Sequence, residues 1–189
     1  MIVMEFINYL GYNSVVILTF FFISLIALIL NYITRGKSNN VLFSSYRSSL
    51  LKPLTYVRLV THIFGHADWN HFMNNFLYIL LIGPMIEEKY GSKNLTIMIL
   101  VTAIITGIIN MIFTNKKILG ASTIVFMLII LSSFVNITTG KVPITLILIC
   151  IFYVINEIIS GIFKKDNISH TGHLIGALCG FIFGFYVFK

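Results

Sequence analysis

The chain has 189 residues, 58% of them hydrophobic and only 10% charged, with a mean hydropathy of +0.96. Thirteen Lys and Arg with six Asp and Glu cannot coat a soluble domain of this size, in which about a quarter of residues carry charge, so lipid is the expected solvent. The net charge of +7 comes from basic residues scattered between apolar runs, with no basic, aromatic-interleaved face, and no nucleic-acid partner is expected.

A bilayer core roughly 30 Å thick takes about 20 apolar residues as helix, because lipid satisfies no backbone polar group. The first such run, 14–33, is uncharged and lacks both the basic region and the small-residue cleavage site of a signal peptide. A polar connection follows from Arg35 to about Asn70. Further spans are predicted at 71–86, 94–113, 118–137, 142–163 and 169–188. Their separators are Glu87-Glu88-Lys89, residues 114–117, Gly140-Lys141 and Lys164-Lys165-Asp166. The expectation is an all-α polytopic membrane protein, one six-helix membrane-embedded domain over 1–189. Cys150 and Cys179 lie inside apolar runs and read as small buried hydrophobes rather than a disulfide or redox pair. Nine of the thirteen basic residues fall in the first, third and fifth loops, which by the positive-inside tendency places the first loop in the cytoplasm.

Polar side chains inside spans are costly and mark candidate sites. Three segments hold them. At the start of the second span, His71 and Asn75 are four apart and share a helix face, so an imidazole and a carboxamide can both donate into one small volume, as a developing oxyanion requires. The plainer reading is a polar helix start anchored at the interface by Trp69. At the start of the fourth, Gly120-Ala121-Ser122 presents a serine which, taken alone, reads as a helix cap. At the sixth, His173, Gly176, Gly180 and Gly184 form one stripe suited to close helix packing, with His170 one turn away. Together the segments supply a nucleophile, a base and oxyanion donors, the parts of an acyl-transfer site. Because alternate loops face alternate sides, all three span starts open on the same side.

These segments resemble the rhomboid family of intramembrane serine proteases. Residues 56–66, Tyr-Val-Arg-Leu-Val-Thr-His-Ile-Phe-Gly-His, are similar to its first-loop stretch, and His66, His71 and Asn75 to its H-x4-H-x3-N signature. Gly83, Glu87 and Gly91 match its G-x3-E-x3-G pattern, Gly120-Ala121-Ser122 its G-x-S, and His173, Gly176 and Gly180 its H-x2-G-x3-G. The resemblance covers about residues 54 to 184 and implies a six-transmembrane-helix rhomboid-like bundle. It implies Ser122 as nucleophile, His173 as base in a dyad with no acidic member, and His71, Asn75 and the Ser122 amide as oxyanion donors. His66, Gly120, Phe126, Gly176 and Gly180 are implied as support, Phe126 beneath the histidine ring. Thr123 departs from the glycine common after the serine.

The resemblance further implies a serine endopeptidase acting on transmembrane protein substrates in the lipid bilayer of a bacterial or archaeal cell, with the first loop outside and a mobile fifth helix. The alternative is a non-catalytic rhomboid-like protein that binds membrane clients. Glu157, in the fifth span, reads as a carboxylate facing the bundle or reaching the interface near Lys164 and Lys165, in preference to one orienting a histidine. No cofactor is expected. No metal is expected either, since His62, His66, His71, His170 and His173 come without an HExxH motif or clustered carboxylates.

Overall fold

The computed structural model describes residues 11–135, 142, 144–163 and 169–187, and among these no strand is present, only one isolated bridge. The expected separators Gly140-Lys141 and Lys164-Lys165-Asp166 lie outside the described residues, as do the ends of the fourth and sixth predicted spans. The first long helix, α1 (Val15–Ile33), starts against a carboxylate from elsewhere in the chain. Glu87 accepts the amides of Val16 at 3.0 Å and Ile17 at 3.2 Å and the hydroxyl of Ser14 at 2.5 Å. A negative charge there satisfies orphan amides at the positive end of the helix dipole.

The first loop, expected as a polar connection, contains two short helices, α2 (Lys37–Val41) and α3 (Pro53–Thr61), and a 3₁₀ turn, His62–Phe64. The second long helix, α4 (Trp69–Tyr90), exceeds its predicted span at both ends. Asp68 begins it early by accepting the His71 amide at 2.8 Å, and Gly91, at φ +80°, ends it. Glu87 is therefore helical, and its inward turn onto α1 is why a charged separator continues the helix. The third, α5 (Ser92–Phe113), follows at once.

The fourth helix, α6 (Ser122–Ser132), starts four residues later than the predicted 118–137. Ile118 is paired with Ser45 in an antiparallel bridge, 2.9 Å in both directions, and Gly120 sits at φ +119°. Neither is compatible with helix. The fifth element is α7 (Ile144–Ile149), a π-helical stretch Cys150–Ile155 and α8 (Asn156–Phe163). The sixth, α9 (His170–Ile182), runs on into a π-helical turn, Phe183–Val187.

Among the described residues, three helical stretches are long and apolar enough to cross a membrane, Val15–Ile33, Ser92–Phe113 and Ile144–Phe163, and two shorter apolar ones stand with them. The core forms around α6, where Ile124, Met127, Leu128 and Leu131 are all fully buried. A helix apolar on every face belongs at the centre of a bundle. Eleven residues make a helix about 16 Å long, short of a roughly 30 Å bilayer core, which leaves room over its N-terminus. Helix α9 packs closely on α6 because a Cβ on Gly176 would stand 2.1 Å from the Thr123 carbonyl oxygen, and one on Gly180 2.7 Å from that of Met127. Only glycine permits either approach.

Candidate active site

The starts of α4, α6 and α9 line one cavity of about 1270 Å³, with His71, Asn75, Ser122, Glu157, His170 and His173 in its wall. The first loop braces the approach to α6. Its Ser45–Ile118 bridge fixes the strand-like approach to α6, and Asn110 Nδ2 donates to the carbonyls of Ser45 at 3.3 Å and Lys116 at 3.0 Å. The Gly120 amide then donates to the His62 carbonyl at 2.9 Å. Arg58, buried in the loop, donates to the Val41 carbonyl at 2.9 Å and lies over the Tyr46 ring at 4.5 Å. The first-loop motif is thus structural, tying the loop into a plug beside the cavity.

Gly120 is required twice over: its φ is strained for any side chain, and a Cβ would stand 2.7 Å from His71 Nε2 and 3.7 Å from Asn75 Nδ2. Both nitrogens therefore face the turn that delivers Ser122. The Ala67 amide approaches His71 Nδ1 at 3.5 Å, which assigns the ring proton to Nε2, the atom facing Gly120. Asn75 Nδ2 is buried with no hydrogen-bond partner among the described residues. Two nitrogens thus converge on the Gly120 turn, and a buried donor without a partner, as Asn75 Nδ2 is among the described residues, is costly unless something fills the place. His66 packs edge-on behind His71, ring centres 5.1 Å apart, and its Nδ1 donates to the Phe64 carbonyl at 3.1 Å. Burial holds the His66 imidazole neutral, lowered to about 3, and that of His62 in the same loop to about 4.

Ser122 opens α6 as its first helical residue, Ala121 is the cap position, and no side-chain cap bond forms. The cap reading of this serine does not hold. His173 lies flat on Phe126, one turn along from Ser122, with ring centres 4.4 Å apart and planes 8° from parallel. No hydrogen bond joins Ser122 to His173 in this state. Thr123 directs its hydroxyl toward α9, where a Cβ on Gly172 would meet Oγ1 at 3.1 Å. Its bulk is taken up by a glycine on the neighbouring helix, and it does not line the cavity.

The reading of Glu157 needs correction. Its Oε1 accepts from Nδ1 of His173 at 2.5 Å and from Nδ1 of His170 at 2.6 Å, with all three side chains largely buried. The carboxylate support that the histidines lack in sequence comes from α8, and it meets only two of the five. The other three stand apart: His62 Nε2 donates to the Ala103 carbonyl at 3.1 Å, and His66 and His71 pair on the α4 side. The signal available in sequence was a single buried acid preceding His170 by thirteen residues; pairing it required knowing how α8 crosses α9. Cys150 and Cys179 are unpaired thiols.

Comparison with known proteins agrees with this architecture. The Rhomboid domain profile matches residues 53–189. Rhomboid-like protein 11, chloroplastic, of Arabidopsis thaliana is 28% identical over 142 residues, covering 67% of this chain and 51% of the relative. Rhomboid protease GluP of Bacillus subtilis is 28% identical over 168 residues, 86% of this chain and 33% of the relative. Rhomboid-like protease 1 of Toxoplasma gondii is 27% identical over 156 residues, 75% and 50% respectively. The chain spans between 33% and 51% of the length of these relatives. With the matched profile covering most of its length and its helices built for a bilayer, the chain is an integral membrane protein that belongs to the Rhomboid family, whose members include proteins named as proteases.

Proposed function

We propose that the chain is an intramembrane serine endopeptidase that cuts peptide bonds in or near the transmembrane segments of membrane-protein substrates. The observation that carries this reading is the pair of nitrogens, His71 Nε2 and Asn75 Nδ2, that face the turn delivering Ser122, the second buried with no hydrogen-bond partner among the described residues. In the reaction, His173 keeps its proton on Nδ1, given to Glu157, so its Nε2 lone pair is free to take the proton of Ser122. The Ser122 oxygen attacks the substrate carbonyl, and the oxyanion is held by His71, Asn75 and the Ser122 amide. Collapse transfers the proton from His173 Nε2 to the leaving amine, and water then releases the acyl group by the same steps in reverse roles. A helical peptide bond is shielded by its own hydrogen bonds, so the substrate must unwind locally before attack.

The alternative, a non-catalytic protein that binds membrane clients, draws on the missing Ser122–His173 hydrogen bond. Catalytic hydrogen bonds are commonly long before substrate binds, so that geometry does not favour it strongly. Cleavage of a model transmembrane substrate by wild type and by Ser122→Ala separates the two, with a fluorophosphonate probe as second readout. Cleavage and labelling by wild type alone are expected. Equal cleavage by the variant, or failure of wild type to cut and to label, overturns the protease reading.

A further inference from the structure

The geometry points to a transition-metal site of the zinc type at Glu157, His170 and His173, one that switches His173 off as a base. Two imidazole nitrogens, three residues apart on α9, and one carboxylate oxygen from α8 each offer a ligand atom, and all lie within 4.8 Å of one another. Zinc binds imidazole and carboxylate oxygens at about 2.0–2.2 Å, so tetrahedral ligands sit roughly 3.3 Å apart. The present Nδ1 to Oε1 separations, 2.5 and 2.6 Å, need to widen by less than about 1 Å for that geometry. The side chains border the cavity, which leaves a fourth position for water. Two nitrogens and one oxygen favour zinc, copper or nickel over magnesium or calcium, which prefer all-oxygen shells.

The consequence for His173 follows from its tautomer. In the free protein Nδ1 carries the proton donated to Glu157, and Nε2 carries the lone pair. A metal at Nδ1 of His173 needs a lone pair on that atom, so the proton moves from Nδ1 to Nε2. That shift releases no proton from His173, and Glu157 ligates as a carboxylate. His173 then presents N–H where it must accept the proton of Ser122. The metal is thus an inhibitory ligand; hydrolysis requires none. The inhibitory half rests on the proposed protease reaction, whereas the binding half does not.

The test uses the purified full chain in detergent, with zinc affinity read by competition against a chromogenic chelator and folding checked by thermal melting. Wild type is expected to bind one zinc ion at least tenfold more tightly than His170→Ala or His170→Gln. Zinc is expected to block cleavage and fluorophosphonate labelling of wild type reversibly, with the half-inhibitory concentration raised at least tenfold in the His170 variants and magnesium without effect. Equal zinc affinity in wild type and both folded His170 variants overturns the site. Tighter binding by wild type with undiminished cleavage overturns the switch, and tighter binding by a chain that never cuts leaves the metal site standing while the protease reading fails.

Discussion

Oε1 of Glu157 stands 2.5 Å from Nδ1 of His173, across the contact between α8 and α9. In the proposed reaction, a carboxylate in that place would fix the imidazole tautomer and stabilise the imidazolium formed as Ser122 gives up its proton. Glu157→Gln keeps the shape and removes the charge. We expect kcat to fall about 10- to 100-fold with little change in KM, because the loss is felt only as charge develops. Michaelis constants for a fluorogenic transmembrane substrate check this; an unchanged kcat would leave Glu157 with a packing role only.

The same carboxylate distinguishes the two histidines of α9. Both rings touch it, but only His173 also lies on Phe126, one turn from Ser122. His173→Ala is expected to be inactive and His170→Ala to retain activity within about tenfold of wild type, since the second donor merely steadies Glu157. Cleavage assays on the two purified variants decide it, and the reverse pattern would reassign the base to His170.

Asn75→Ala removes a buried Nδ2 donor that has no partner among the described residues, so folding should gain or lose little while the proposed transition-state contact disappears. A drop of about 10²–10³ in kcat is expected, as for other oxyanion donors. Gly120→Ala is harsher. Its Cβ would stand 2.7 Å from His71 Nε2 at a φ of +119°, so both activity and thermal stability should fall. Thermal melts in parallel with kinetics separate the two cases, and an Asn75→Ala variant that is unstable but fully active per folded molecule would remove Asn75 from the oxyanion site.

How much of this was legible in sequence follows from which forces are local. Six apolar runs announce themselves because lipid tolerates few charges, and the H-x4-H-x3-N, G-x-S and glycine-stripe spacings put each candidate group on a definite helix face. Helix ends were less legible, since they depend on partners far away in the chain. Glu87 caps α1 from some seventy residues on, and Ile118 is held out of α6 by Ser45. The reach of Glu157 onto α9 was hidden for the same reason. A π-helical stretch, Cys150–Ile155, precedes it and offsets the face that a regular helix would give.

Two first-loop histidines set an acid limit on the fold. His62 and His66 are buried and neutral, held near about 4 and about 3 by burial, against 6.5 when exposed. Unfolding lets them take up protons that the folded chain refuses. Their neutral burial therefore favours the fold fully above pH 6.5, and that stability is lost as pH falls from 6.5 toward about 4 and then about 3. Within the window each histidine costs about 1.4 kcal/mol per pH unit. Melting temperatures in detergent between pH 8 and 4 should fall below pH 6.5, and more gently in His62→Gln; a flat profile would contradict the buried-neutral assignment.

Membrane orientation brings two arguments into conflict. The basic residues, nine in the first, third and fifth loops against four elsewhere, favour a cytoplasmic first loop. The arrangement implied by the rhomboid resemblance puts that loop and the cavity outside, and we favour it on physical grounds. The nine charges are spread over three loops, and several are engaged by the fold: Arg58 is buried against Val41 and Tyr46, Arg47 donates to the carbonyls of Met111 and Ile112, and Lys117 donates to Asn40. Charges spent on the bundle weigh less in choosing a side. Cysteine labelling with an impermeant maleimide, in a Cys150→Ala and Cys179→Ala background, decides the matter. Ser44 is a poor probe, being fully buried with its hydroxyl on the Asn39 carbonyl. Lys52 in the first loop and Lys93 beyond the end of α4 are exposed, and a membrane-spanning α4 would put them on opposite sides. Intact cells should label Lys52→Cys and spare Lys93→Cys until they are permeabilised. The opposite pattern would open the cavity to the cytoplasm, and the substrates would then be sought among proteins whose scissile segments face inward.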